Sequence, residues 1–164
     1  MRLNYIIFPL MTVLVARAGS NWTSQGLGWY RELRLPTLAP PGGLIGVVWA
    51  VIYILATISA IILWNLTSDK WAQQQGKYWL IWILFLVNAF LNAYWSYLFF
   101  VKHLIGWAVV EMIVLEITVI TLIFLAKKFS KTASYLLVPY AVWVGFATYL
   151  AYLILGLNKI KITT

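Results

Sequence analysis

The chain has 164 residues, of which 63% are hydrophobic and 10% charged, where a soluble domain carries about a quarter charged residues. That excludes an ordinary soluble fold and points to one integral membrane domain. The net charge of +8 is spread between apolar stretches, with Lys127-Lys128 as its longest basic run. Anchoring at lipid headgroups accounts for it, and no nucleic-acid partner is expected. There is no cysteine, so disulfides and thiolate metal sites are excluded.

A spanning helix needs about 20 mostly apolar residues. The first candidate, about 3–20, is marginal: Asn4 and Pro9 interrupt it and Arg17 lies near its end. It spans if Arg17 snorkels to the interface. A cleavable signal peptide is the alternative, with Arg2 before the apolar core and "ARA" at Ala16–Ala18. Residues 21–42 then form a long loop, stiffened by Pro36, Pro40 and Pro41. No charge occurs between Arg34 and Asp69, which predicts a second span at 43–64. The third is predicted at 78–100, between Lys77 and Lys102. The fourth, 104–126, contains Glu111 and Glu116, and the fifth, 134–157, has Ser134 as a candidate cap. The expected fold class is therefore an all-α integral membrane protein, a five-transmembrane-helix bundle in a single domain, 1–164. Six basic residues fall on each side (Arg2, Lys70, Lys77, Lys127, Lys128, Lys131 against Arg17, Arg31, Arg34, Lys102, Lys159, Lys161), so charge bias assigns no orientation.

Lipid already solvates leucine, so polar and aromatic residues deep in a span need a reason. Asn88, Asn92 and Ser96 recur every four residues, one stripe on the third helix, flanked by Trp95 and Phe99. An amide in hydrocarbon needs partners; helix–helix glue is one reading and ligand contact the other. Trp49 and Tyr53 are four apart, Trp107, Glu111 and Val114 share a face, and so do Trp143, Ala147 and Leu150. Trp22, Trp64, Trp71 and Trp79 lie near predicted span ends and suit interfacial belts. Trp49, Trp95 and Trp143 lie deeper and suit a pocket for a flat apolar ligand, or plain packing. Glu111 and Glu116 are the acids within a span; five residues apart, they do not share a face. His103 reads as an interfacial loop residue. No metal cluster, nucleophile triad or nucleotide fingerprint is present, so neither a metal nor a cofactor is expected. Ala89 with Ala93, and Gly42 with Gly46, are small pairs four apart that suit close helix approach and a homodimer through the third helix.

"WYRELRLPTLAPP", "VWAVIY", "LNAYWSYLFF", "GWAVVEM" and "PYAVWVGFATYLAY" follow one another in this order. Together they resemble the translocator protein / tryptophan-rich sensory protein family, once called the peripheral-type benzodiazepine receptor, over about Trp29 to Tyr152. The resemblance implies a five-helix bundle, often dimeric, whose first loop covers a pocket for porphyrins and hydrophobic drugs. It places Trp29, Trp49, Asn92, Trp95, Trp107, Trp143, Ala147 and Leu150 at the ligand. It implies a receptor or sensor for tetrapyrroles such as protoporphyrin and haem precursors. The alternatives are light- and oxygen-dependent porphyrin breakdown, with Trp49 and Trp143 as the reactive indoles, and transport of porphyrin or lipid. Two departures stand out: Leu35 and Leu38 replace the family's usual lysine and tryptophan before "PP". The animal sterol pattern also fails, because the next base after Tyr152 is Lys159.

Overall fold

The computed structural model describes residues 3–71 and 79–162, with side chains through 67 and from 79 to 158. Five helices make up the bundle: α1 (Asn4–Arg31), α2 (Gly42–Trp71), α3 (Trp79–Ser96), α4 (Ile105–Lys127) and α5 (Lys131–Ile162). Four contain stretches long and apolar enough to cross a membrane, Gly42–Thr67, Trp79–Val101, Ile105–Lys127 and Lys131–Asn158. The chain is an integral multi-pass membrane protein. The expected span start at Tyr78, and the polar 72–77 segment, lie outside the described residues; so do the side chains of Trp71 and Lys159.

α1 differs most from expectation. It passes through Pro9 and continues eleven residues beyond position 20, so the stretch 21–31 is helical and the connection to α2 is residues 32–41. Polar and small residues in that half (Ser20, Asn21, Thr23, Ser24, Gly26) weaken the local apolar signal, but tertiary packing holds the helix. Its first half presents Leu3, Ile6, Leu10 and Val13 outward, as lipid-facing residues do. Its second half runs against the end of α3. A methyl at Gly26 would lie 2.2 Å from the Phe100 carbonyl oxygen, so only glycine allows this approach. At the opposite end, Asn4 Nδ2 donates to Asn65 Oδ1 of α2 at 3.0 Å. α1 thus lies along the bundle from one end to the other, antiparallel to α2.

α3 does not stop at Ser96. A π-helical turn, Tyr97–Val101, extends it, closed by Lys102 N–H to the Tyr97 carbonyl at 3.0 Å. A regular helix turns successive side chains about 100° apart; the wider turn buries Leu98, Phe99 and Phe100 in succession. His103, at φ 56°, then reverses the chain into α4. The buried stripe of α4 is Ile105, Ala108, Met112, Leu115, Val119, Leu122 and Ala126, the helical three-and-four spacing. α5 begins at Lys131, three residues before the expected start, and its cap is Ser130, whose Oγ accepts the Ala133 N–H at 3.2 Å. Ser134 instead ties α5 to α4, donating to the Ile123 carbonyl at 2.9 Å.

Candidate functional site

The asparagine stripe organises the middle of the bundle. Tyr53 of α2 donates to Asn92 Oδ1. Asn92 Nδ2 donates to the Tyr140 hydroxyl of α5 at 2.9 Å, and that hydroxyl donates to Asn88 Oδ1 at 2.9 Å. Asn88 Nδ2 donates to Thr118 Oγ1 of α4 at 2.9 Å, and Thr118 donates to the Leu115 carbonyl at 2.7 Å. Every donor in this chain points the same way, and it joins four helices. Asn88 is glue, as one reading of the sequence had it. Asn92 is glue as well, and it also forms a wall of two cavities.

The larger cavity, about 480 Å³, lies on the side of this relay that carries the 32–41 loop. Its walls include Trp49 and Tyr53 from α2, Asn92, Trp95 and Ser96 from α3, and Phe99 and Phe100 from the π turn. Trp143, Ala147 and Leu150 come from α5, and the second half of α1 closes the remaining side through Gly19, Thr23 and Leu27. Tyr30 and Pro40 cover its mouth. The volume falls within the roughly 300–1,000 Å³ of small-molecule sites. Ser20 and Leu27 on α1, and Gly42, Gly46 and Ala50 on α2, are exposed while lining it. Methyls at Gly42 and Gly46 would meet nothing within 4 Å. The two helices therefore part here, and the cavity opens sideways toward lipid. Within the chain the glycine pair seats no neighbouring helix and leaves this entrance wide.

Trp95 and Trp143 each bury an indole N–H with no hydrogen-bond partner among the described residues. A buried donor without a partner costs about 1–3 kcal/mol; both rings line the cavity while their N–H groups are covered. Trp49 is set by Tyr53, ring centroids 5.6 Å apart, and by Tyr140, edge-on at 6.0 Å. Trp95 stacks on Phe99 at 5.3 Å.

Six of the residues expected at the ligand, Trp49, Asn92, Trp95, Trp143, Ala147 and Leu150, converge on this cavity; Trp29 and Trp107 do not. Trp107 is 66% exposed. It lies one position off the buried stripe of α4, beside Ala108; of the expected face Trp107, Glu111 and Val114, the first and last point outward and Glu111 is buried. Trp29 stacks on His103 with centroids 4.0 Å apart and meets Phe99 edge-on, so it braces the lid from behind while its neighbour Tyr30 faces the cavity. His103 is thus half of a ring stack. Glu111 is buried and its carboxyl has no hydrogen-bond partner among the described residues, yet it lines neither cavity. Glu116 lies over α5, 3.9 Å from where a methyl at Gly145 would stand.

Tyr140 and the α1 residues before Trp29 are additions. Tyr140 sits in a span with no polar periodicity of its own. The signal for α1 was its run of glycines and hydroxyls, Gly19, Ser20, Thr23 and Gly26, which suits close packing against another helix.

The loop over the mouth is fastened by backbone and side-chain contacts. Leu33 is buried in the core cluster with Phe99, Phe100 and Leu150. The Pro41 carbonyl accepts the first helical bonds of α2, from Leu44 at 2.9 Å and Ile45 at 3.3 Å. Arg34 is bonded to Asn158 of α5 through both its N–H and its carbonyl, each at 3.0 Å.

The family model described as TspO/MBR matches residues 5–156. The chain is 37% identical over 130 residues to the uncharacterized membrane protein YtaB of Bacillus subtilis, covering 79% of this chain and 80% of that one. It is 34% identical over 155 residues to the tryptophan-rich protein TspO of Archaeoglobus fulgidus, covering 93% and 96%. With the human translocator protein it shares 28% over 149 residues, covering 88% and 84%. Five helices, an aromatic cavity under the first loop and a match over nearly the whole chain agree: this chain belongs to the TspO/MBR family of integral membrane proteins.

Proposed function

We propose that this protein is a membrane receptor or sensor that binds tetrapyrroles, such as protoporphyrin and haem precursors, and other flat hydrophobic ligands in the larger cavity. The observation that carries the reading is the convergence of Trp49, Trp95 and Trp143 on one lipid-accessible cavity of about 480 Å³. Aromatic faces suit a flat macrocycle. The lateral opening between α1 and α2 suits a ligand that partitions into the bilayer first. No side chain at the cavity has to take a proton for binding.

Absorbance titration of the purified protein with protoporphyrin is the test. Losing an indole that stacks on a flat ring costs about 0.5–1.5 kcal/mol beyond lost area, so Trp143→Phe weakens binding severalfold. Trp107→Phe and Trp79→Phe, at outward positions, leave it unchanged. Equal losses at all three positions would mean that the tryptophans serve folding or anchoring alone.

A second reading is porphyrin breakdown in light and oxygen, favoured by Trp49 and Trp143 lining the same cavity. Bound pigment that persists in light without oxygen and decays with it, in a manner stopped by Trp143→Phe, moves this reading ahead. Transport of porphyrin or lipid requires the Tyr53–Asn92–Tyr140 relay to part, and vesicle flux tests it. We also propose a homodimer. Ala93 is buried within the single chain, so the contact on α3 is its outward row Leu86, Val87 and Phe90, and Phe90→Lys should yield monomers in detergent.

A further inference from the structure

A second cavity, about 340 Å³, lies on the far side of the asparagine relay. α1 lines it with Phe8, Thr12 and Val15, α2 with Ala56, Ala60 and Trp64, and α3 with Trp82, Phe85 and Ala89. Tyr53 and Asn92 belong to both cavities and form the partition. Its lining runs on α2 from Tyr53 to Trp64 and on α3 from Trp82 to Asn92, which is roughly 15 Å of helix. It is a slot lying along the helix axes, and its length follows the bilayer normal. Ile7, Met11 and Leu86, on α1 and α3, line it while exposed, so it opens sideways between those helices.

We propose that this slot seats one acyl chain of a bilayer phospholipid. Three observations select that occupant over a second flat ligand. First, apart from the covered Trp82 indole N–H, the hydroxyls and amides of the wall are already engaged. Thr12 and Thr57 share a hydrogen bond at 2.6 Å, Thr57 also donates to the Tyr53 carbonyl, and both halves of the Asn88 amide are used. No cationic side chain lines it to meet the carboxylates of a tetrapyrrole. Second, the aromatic rings face one another. Phe8 stacks on Trp82 at 5.4 Å, Trp82 on Phe85 at 5.7 Å, and Trp64 meets Trp82 edge-on at 5.1 Å. They form a smooth apolar wall, with their stacking faces occupied. Third, away from the engaged Tyr53–Asn92 partition, polar groups recur only toward the far end, where the Asn4–Asn65–Tyr5 hydrogen bonds lie at the helix ends beyond the lining. The tail of an acyl chain, which needs no polar partner, fills the apolar length, with its ester end toward those groups. Small residues at Ala56, Ala60 and Ala89 make the room.

The test is photolabelling of the whole protein in phosphatidylcholine vesicles containing a phosphatidylcholine with a diazirine on its acyl chain, with labelled positions mapped by mass spectrometry. Label is expected on Ala60, which is 5% exposed and out of reach of surrounding lipid, and on Phe85. Ala60→Leu fills the slot. Label at Phe85 then falls to background while label at the outward Phe124 of α4 persists. If Ala60→Leu does not fold, Ala89→Leu serves the same purpose, and the wild-type map decides by itself. Label confined to outward positions such as Phe124 and Ile117 overturns the proposal. So does a second equivalent of protoporphyrin per chain that displaces the label from Ala60. Neither outcome bears on the larger cavity, which is tested by the first equivalent.

Discussion

Asn158 holds Arg34 with both halves of its side-chain amide. Its Oδ1 accepts the Arg34 N–H and its Nδ2 donates to the Arg34 carbonyl, each at 3.0 Å, across 124 residues of sequence. A third bond, Nδ2 to the Ile154 carbonyl at 2.8 Å, fixes the side chain on its own helix. The amide acts as a short piece of strand edge for a loop that has none. Each such bond is worth a net of about 0.5–1.5 kcal/mol. Asn158→Ala should therefore shift the loop toward open by about 1–3 kcal/mol and speed release of a bound pigment at least severalfold. Stopped-flow dissociation checks this, and an unchanged release rate would show that the loop does not gate the exit.

Tyr140 is the hub of the polar relay, fully engaged between Asn88 and Asn92. Tyr140→Phe leaves Asn88 Oδ1 and Asn92 Nδ2 without partners in a buried site, at about 1–3 kcal/mol for each group. Tyr53→Phe removes a partner from Asn92 Oδ1 alone. The melting temperature in detergent should fall for both variants, and further for Tyr140→Phe. The opposite order would mean that the relay is not centred on Tyr140.

Gly26 and Gly19 provide a matched pair on α1. A methyl at Gly26 would collide with Phe100 backbone, whereas one at Gly19 would stand 3.5 Å from Ser96 Oγ, an ordinary contact. Gly26→Ala should push the end of α1 off the π turn, lower thermal stability and weaken ligand binding, since Phe100 lines the cavity. Gly19→Ala should be tolerated, even slightly stabilising, because alanine is the better helix former. Parallel melts and titrations test the contrast.

We expect α1, which runs from the Asn65 end of α2 to Phe100, to make a fifth crossing beside the four apolar spans, which would put the two termini on opposite sides of the bilayer. Tags on the two termini should differ in accessibility in sealed, oriented vesicles. Equal accessibility from one face would remove α1 as a crossing element.

The membrane class, the four strongly apolar spans and the asparagine stripe were legible in the sequence because each is written locally. A charge-free run of about 20 residues has few fates other than hydrocarbon, and amides four apart share a face whatever surrounds them. The family motifs brought six cavity residues into view together. What tertiary structure alone decided is which apolar face of each helix points inward. In a soluble protein, polar residues mark the outside; here lipid and core are both apolar, so the pattern marks neither. Trp107 and Trp143 look alike along the chain, yet one faces lipid and the other a cavity. The second half of α1 was likewise hidden. Its glycines and hydroxyls read as loop until the π turn of α3, brought close by the fold, gives them a surface that only small side chains fit. Asn158 and Arg34 are 124 residues apart, and no local rule couples them. Their bond exists because five helices close into a bundle that sets the end of α5 beside the lid.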